Sequence, residues 1–404
     1  MFSAAFVTPE GKLREATGNR PVAAHGRTVV PLAETDLIPL PEGAVLSMMP
    51  ERTALCEEGE LPGAPAAALL PIGYTRTLLP AYRRAECRVH LPLFGYAAVA
   101  MRDGRPYVAA MATDDPRPWQ HNDAGYRQLR RLIRRRIAER NDGAPLLRHL
   151  AHCALTYECR SAQHLFYGRG EAALPSSPIC NAACVGCISE QPDASIQPHE
   201  RLSFLPSVDE SVDLAVSHLE RSGGGIVSFG QGCEGEPLLN KQNLEIVRRV
   251  RRRTRAGVIN LNTNGSRPQI LRQLIDAGLG SIRVSMFSAR DAIFPRYYKP
   301  VGYSLCHVAE CLRMASAGGL LTSVNLLTFP GITDDEDEVG ALLELFRSAS
   351  VELVQLRNLN IDPEQLLEQF EDVTFRPIGI RTMAERFQEA GLRIGSYTHV
   401  RGKW

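Results

Sequence analysis

The spacing of apolar and polar positions changes character partway along the chain. Up to about residue 115 the apolar residues come in short alternating runs broken by turn signals, as in "RTVVPLA", "PEGAVLSMMP" and "RVHLPLFGYAAVAMRDGRPYVAAMA". A period of two marks half-buried strands. Asp103-Gly104 splits two such runs and predicts a hairpin. Pro9-Glu10-Gly11-Lys12 predicts another turn between strands. The segment 125–140, "GYRQLRRLIRRRIAER", has the other period. Leu129, Leu132, Ile133 and Ile137 make one apolar stripe of a helix.

From about residue 172, strand-like runs alternate with helix-length amphipathic segments. The strand candidates are "AALPSSPI", "GGIVSFG", "GVINLNTNG", "SIRVSMFS", "LLTSVNLLTFPG" and "VELVQLRNLN". Helices are predicted between them at about 207–221, 241–255, 266–278, 302–318 and 335–349. Strands separated by helices pair in parallel. The pattern predicts an α/β fold, as an open doubly wound sheet or as a full or partial β/α barrel. Either form gathers functional residues at the C-terminal ends of its strands. Past residue 361 the pattern gives helical segments "PEQLLEQFED" and "RTMAERFQEAGL" and a last short strand in "RIGSYTHV". The expected division is a β-rich N-terminal domain (1–115), a helical connector (116–170), the alternating core (171–365) and a short, largely helical C-terminal extension (366–404).

Composition changes this picture little. Hydrophobic residues make up 44% and charged residues 23% of 404, with a formal net charge of +1, which is ordinary for a soluble globular chain. No apolar run reaches the roughly 18 residues of a membrane span. The start, "MFSAAFVTPEGKLREATG", lacks the basic and apolar regions of a secretory signal. Seven arginines between Arg127 and Arg140 line the polar face of the connector helix. They suit an acidic partner or RNA, but a solvated face is the favoured reading.

Ten cysteines are scattered along the chain, and three cluster in "PICNAACVGCISEQ". Cys180, Cys184 and Cys187 form C-x3-C-x2-C just after the first strand of the alternating part. Three thiolates on one short loop suit an iron–sulfur cluster, and three ligands where a four-iron cluster normally has four leave one iron open to substrate or cofactor. Structural zinc would require a second pair of ligands, and the nearest downstream histidine, His199, stands alone. Chance proximity of buried thiols is the remaining reading.

In this motif and its placement the sequence resembles the radical S-adenosylmethionine enzymes over about 171–365. The resemblance implies a partial (β/α)6 barrel and a 4Fe-4S cluster on Cys180, Cys184 and Cys187. The open iron would take the amino and carboxylate groups of S-adenosylmethionine. One electron would split that cofactor into methionine and a 5′-deoxyadenosyl radical, which takes hydrogen from the substrate. The position before the last cysteine, commonly aromatic in the family, is Gly186. It keeps backbone contacts to the adenine and forgoes stacking.

"SFGQGCEGEPLL" (228–239) first reads as a dinucleotide turn, with Gly230, Gly232 and Gly235 spaced G-x-G-x-x-G. Two features oppose that. Glu234 and Glu236 put negative charge where a pyrophosphate would approach. The next strand ends "NLNTNG" without the expected carboxylate. The family's Gly-Gly-Glu-Pro-like segment, which binds the amino group of the cofactor's methionine part, is similar to Glu234-Gly235-Glu236-Pro237. Gly235 and Glu236 are the cofactor candidates. Ser285 and Asn325, at the fourth and fifth strand ends, match positions that often contact the cofactor. Cys233 sits beside these motifs and is a candidate catalytic thiol, with a small residue in a tight turn as the plainer reading. Lys299 and the run "FPRYYKP" (294–300) read by default as a packed loop.

The resemblance leaves peptide, RNA and small-molecule substrates open, implies an electron donor such as a ferredoxin or flavodoxin, and, with the absent signal, points to the cytoplasm. Two other function classes are weighed against it: an NAD-dependent oxidoreductase built on the glycine loop, and a non-catalytic metal-binding module for nucleic acid. An auxiliary metal site from Cys153 and Cys159 with Cys56 or Cys87 is a minor expectation.

Overall fold

The computed structural model describes residues 1–84, 90–115, 123–139 and 143–396. Cys87, Arg140 and the end of "RIGSYTHV" lie outside the described residues. In the N-terminal part, Tyr96–Arg102 and Arg105–Ala112 form the hairpin expected at Asp103-Gly104, pairing Val99 with Val108. Ser3–Val7 and Leu13–Ala16 form the other. Both belong to an antiparallel sheet that also holds Ala64–Leu69 and Val45–Met48. Ala97, Val99 and Met101 enter one apolar cluster, and Ala98 and Ala100 another. The alternation therefore buries both faces of this strand, and alanines let the layers approach closely.

The second part is a parallel sheet whose strands follow chain order: Glu171–Ala173, Ile226–Phe229, Val258–Thr263, Ser281–Met286, Leu321–Thr328, Leu353–Asn358 and Arg393–Gly395. Right-handed crossovers in unbroken sequence put every helix on one face, so the sheet curls around its other face into a half-barrel. The helices between these strands run Val208–Arg221, Gln242–Arg253, Pro268–Asp276, Leu305–Ala317 and Glu336–Ser348, within three residues of the expected ends. Ser207 and Asp335 cap two of them, each accepting a hydrogen bond from the backbone three residues on. The seventh strand, paired with Leu353–Gln355, extends the sheet beyond the six expected strands.

Alternation within the strands sorts the two faces. Ile282, Val284 and Met286 enter the core under the helices. The intervening positions face the lumen and are polar. Across the register stand Ser228, Asn260 and Ser281; then Asn262, Arg283 and Ser323; then Ser285, Asn325 and Gln355. The first strand ends early, at Ala173, because Pro175 and Pro178 have no N–H for a ladder. Ser176 and Ser177 bond elsewhere, as described below.

The connector helices, Asp123–Ala138, Pro145–Thr156 and Arg160–Tyr167, share the half-barrel's core through residues such as Leu129, Ile133, Leu150 and Phe166. Arg127, Arg130, Arg131, Arg134 and Arg135 are exposed, matching the solvated-face reading. The N-terminal sheet is fastened to the half-barrel by Arg76, which is fully buried. Its Nη2 donates to the carbonyl of Leu359 at 2.7 Å, its backbone N–H donates to Asn358 Oδ1 at 2.8 Å, and its guanidinium lies over the Phe329 ring.

Candidate functional site

The loop of Cys180, Cys184 and Cys187 leaves the C-terminal end of the first parallel strand. All three thiols are half-buried. The loop is held from behind by the short helix Phe294–Tyr298: Ala183 N–H donates to the Tyr298 carbonyl and Val185 N–H to that of Tyr297. The aromatic run, expected as a packed loop, is packed but mostly helical, with Tyr297 stacked on Phe287 at 4.4 Å. Tyr297, Tyr298 and Tyr303 are buried close enough to Cys184 to feel its charge. They form an apolar, water-excluding wall. Burial pushes the Cys180 thiol up to about 11 and Cys184 well above its ordinary value. A metal reverses that penalty by taking the thiolate directly. Beside Cys187, the Arg201 guanidinium donates to Sγ at 3.4 Å and also pairs with Glu190. No spacing rule in the sequence links positions 187 and 201.

The glycine loop is built against this cysteine loop. Gly235 N–H donates to the Ser177 carbonyl at 2.7 Å and Glu236 N–H to that of Ile179 at 2.8 Å. The two motifs, more than fifty residues apart in sequence, thus run side by side. Each glycine of the spaced triplet sits where a side chain would collide with a neighbour. At Gly230 the obstacle is the Asn262 carbonyl, at Gly232 the Ile188 side chain, and at Gly235 the Ile179 carbonyl.

Glu234, which stands where the related segment has its first glycine, is a clamp. One carboxylate oxygen accepts from the N–H groups of Ser176 and Ser177, at 2.7 and 2.9 Å. The other accepts from Gly230 and Gln231, at 2.6 and 2.8 Å. The amides that a dinucleotide turn would offer to phosphate are therefore already occupied. Glu236 accepts from Thr263 Oγ1 at 2.6 Å and from the N–H groups of Leu238 and Asn264. Burial pushes both carboxyls up to about 7 against these hydrogen bonds. Glu236 also lies close enough to Cys180 to raise its thiol further.

The remaining candidates fall around the lumen. Ser285 and Asn325 are register partners on adjacent strands, and Asn325 Oδ1 accepts from Arg357 Nε at 3.4 Å. Deeper, Arg283 pairs with Glu171 at 3.2 Å, and Ser228 Oγ donates to Glu171 at 2.6 Å. Gly186 lines a cavity of about 390 Å3 with Ile188, Leu327, Arg357 and the N-terminal residues Leu70–Tyr74. Cys233 is buried, and it joins a different neighbourhood. Among the described residues, one trio of possible ligands has its atoms within 4.8 Å of one another: His149, Cys153 and Cys233. Cys56 is apart from it in the N-terminal part, where its thiol donates to Asn19 Oδ1 and to the Gly59 carbonyl.

The donor set fits an iron–sulfur cluster with a cofactor beside it: three thiols on one loop, a guanidinium at one of them, and a glycine-lined carboxylate alongside. Asn181, next to Cys180, keeps a buried Nδ2 without a partner, while its Oδ1 accepts from Asn264 and Ser266. A parallel half-barrel with such a loop at its rim defines a cluster-binding protein of βα-barrel architecture. Residues 174–343 match the family model of the Radical SAM superfamily, which places a radical SAM domain over the parallel half-barrel. The superfamily's cofactors are a 4Fe-4S cluster and S-adenosylmethionine, and its enzymes require a reductant.

Relatives include the GTP 3',8-cyclase of Thermodesulfovibrio yellowstonii, 32% identical over 169 residues, covering 40% of this chain and 48% of that one. Another is the GTP 3',8-cyclase of Heliobacterium modesticaldum, 27% identical over 231 residues, covering 55% and 64%. The chain thus spans between about half and two thirds of the length of these relatives. Among solved structures, Streptococcus suis SuiB bound to precursor peptide SuiA has 10% identity and a TM-score of 0.41, over 60% of this chain and 53% of that one. No helix among the described residues is long and apolar enough to cross a membrane.

Proposed function

We propose that this chain cleaves S-adenosylmethionine reductively and uses the fragment to take hydrogen from a substrate held in the half-barrel. The observation that carries this reading is the pairing of Gly235 and Glu236 with Ser177 and Ile179, which sets a buried carboxylate beside the first cysteine of the triplet. Cys180, Cys184 and Cys187 would hold the cluster. When bound, it supplies one electron to S-adenosylmethionine, giving methionine and a 5′-deoxyadenosyl radical.

The chain's own residues bind, orient and shield. Glu236 and the backbone at Gly235 receive the ammonium end of the cofactor, by charge and hydrogen bonding. Ser285 and Asn325 offer polar contacts along its ribose and carboxylate, and the backbone of Gly186 meets the adenine. Tyr297, Tyr298 and Tyr303 keep water from the cluster loop, which protects a reactive species. The 390 Å3 cavity lies in the range of small-molecule sites and is bounded on one side by Leu70–Tyr74. The N-terminal domain (1–115) therefore supplies part of the substrate wall. The connector (116–170) and the C-terminal extension (366–404) flank the core (171–365). A cytoplasmic ferredoxin or flavodoxin suits the electron donor.

The test is anaerobic reconstitution followed by reductant and S-adenosylmethionine. The reading requires about four irons per chain and 5′-deoxyadenosine as product, with both lost in Cys184→Ala. Intact cofactor in the presence of a full cluster would overturn it.

A further inference from the structure

His149, Cys153 and Cys233 are not used by the proposed chemistry, yet they meet. His149 and Cys153 lie four residues apart on one face of the connector helix Pro145–Thr156. Cys233 comes from the glycine loop, eighty residues on. Cys153 and Cys233 are 1% and 4% exposed. The ligand atoms of all three lie within 4.8 Å of one another, with His149 Nε2 3.6 Å from Cys153 Sγ. A tetrahedral zinc with Zn–S of about 2.3 Å and Zn–N of about 2.0–2.1 Å separates sulfur from nitrogen by about 3.6 Å. The observed spacing is that of an edge of such a tetrahedron.

Both sides of the trio are fixed by their own bonds. The buried Glu210 carboxylate caps the connector helix, accepting from Leu146 and Leu147 N–H at 3.2 and 3.0 Å. The Cys233 carbonyl accepts from Leu202 N–H at 2.7 Å. Phe204 meets the His149 ring edge-on. Ligands held in place by other contacts lose little freedom on taking a metal.

We propose that His149, Cys153 and Cys233 form a second metal site, taking zinc or a similar divalent transition metal, separate from the cysteine triplet. Two soft thiolates and an imidazole select zinc over the hard cations. The fourth coordination place is open to water or an incoming ligand. Because Cys233 immediately precedes Glu234, the metal ties the connector helix to the loop that carries Gly235 and Glu236. Cys233 is then a positioning residue for the cofactor loop and not a hydrogen-atom relay.

The experiment is metal counting on the full chain, purified without oxygen and without chelator. The expected result is about one zinc per chain in addition to cluster iron. Cys153→Ser and His149→Ala should lose the zinc and keep the iron, whereas Cys184→Ala should lose the iron and keep the zinc. Zinc that disappears in Cys184→Ala belongs to the cluster loop and overturns the proposal. Should the Cys153 variant fail to fold, cobalt(II) titration of zinc-free wild type decides. A thiolate-to-cobalt charge-transfer band with tetrahedral ligand-field bands supports the site. Failure of the wild type to bind either metal, or a Cys153–Cys233 disulfide found by trapping thiols before digestion, overturns it.

Discussion

A Cβ placed on Gly235 would lie 2.0 Å from the carbonyl oxygen of Ile179, a distance no real side chain tolerates. Gly235→Ala must therefore push the glycine loop away from the residue that precedes Cys180. The expected cost is about 1–3 kcal/mol of stability, the range of overpacked sites, together with weakened binding of S-adenosylmethionine. Denaturant titration and calorimetric cofactor binding check the two effects. Unchanged values in both would mean that the close approach is dispensable.

The buried ion pair of Arg283 and Glu171 makes a separate prediction. Both side chains are about 5% exposed, with the carboxylate also accepting from Ser228. Arg283→Met leaves the Glu171 charge in the lumen without its guanidinium, which should cost about 3–5 kcal/mol. Adding Glu171→Gln should restore much of that loss. Urea unfolding of the single and double variants measures the coupling, and additive effects would rule it out.

At Gly186 a Cβ would stand 3.0 Å from both Leu359 Cδ1 and Tyr297 Oη. A methyl group is accommodated by small shifts, so Gly186→Ala should cost about 1 kcal/mol or less. Gly186→Phe, which restores an aromatic residue common in the superfamily, should project into packed neighbours or fill the adjoining cavity. The expected outcome is a chain with normal iron content and little 5′-deoxyadenosine. Full turnover by the phenylalanine variant would show that Leu359 and Tyr297 yield readily.

His218 is expected to set an acid limit on stability. Burial lowers its pKa from the ordinary 6.5 to about 4; Nε2 donates to the Gly170 carbonyl and Nδ1 is buried without a partner. Between those two values the unfolded chain binds a proton that the folded chain refuses, so stability falls as pH drops from about 6.5 toward 4. The contribution is on the order of 1.4 kcal/mol per pH unit. His218→Leu should flatten this part of the stability curve, and an unaltered slope would assign it to other groups.

Much of the half-barrel was legible because each strand and helix carries its own period, and caps such as Ser207 and Asp335 mark where helices begin. The cysteine triplet was legible because its members share one loop. What escaped depends on closure. Glu234 reads as a departure from a glycine pattern, but its two oxygens join Ser176-Ser177 to Gly230-Gln231, segments that meet only once two strands lie side by side. Glu171 and Arg283 stand 112 residues apart, and neither is exceptional in its local sequence. The seventh strand was visible as a short apolar stretch, but its pairing with the sixth follows from the curl of the sheet. Cys233 looked like part of the cofactor loop, whereas its side chain meets a helix from the connector.

Arg76 bears on the order in which the chain acquires its structure. Its partners Asn358 and Leu359 are 282 and 283 residues downstream, so during synthesis they emerge long after it. The N-terminal sheet must wait for 283 further residues to be made before this guanidinium finds its carbonyl, and contacts so distant in sequence form slowly. Until then the charged group remains hydrated, and the sheet edge beside it stays uncovered. Ribosome-bound chains halted before and after residue 359 should therefore differ in the protease resistance of 74–112, which makes the sixth strand the late step that locks an early-made region in place.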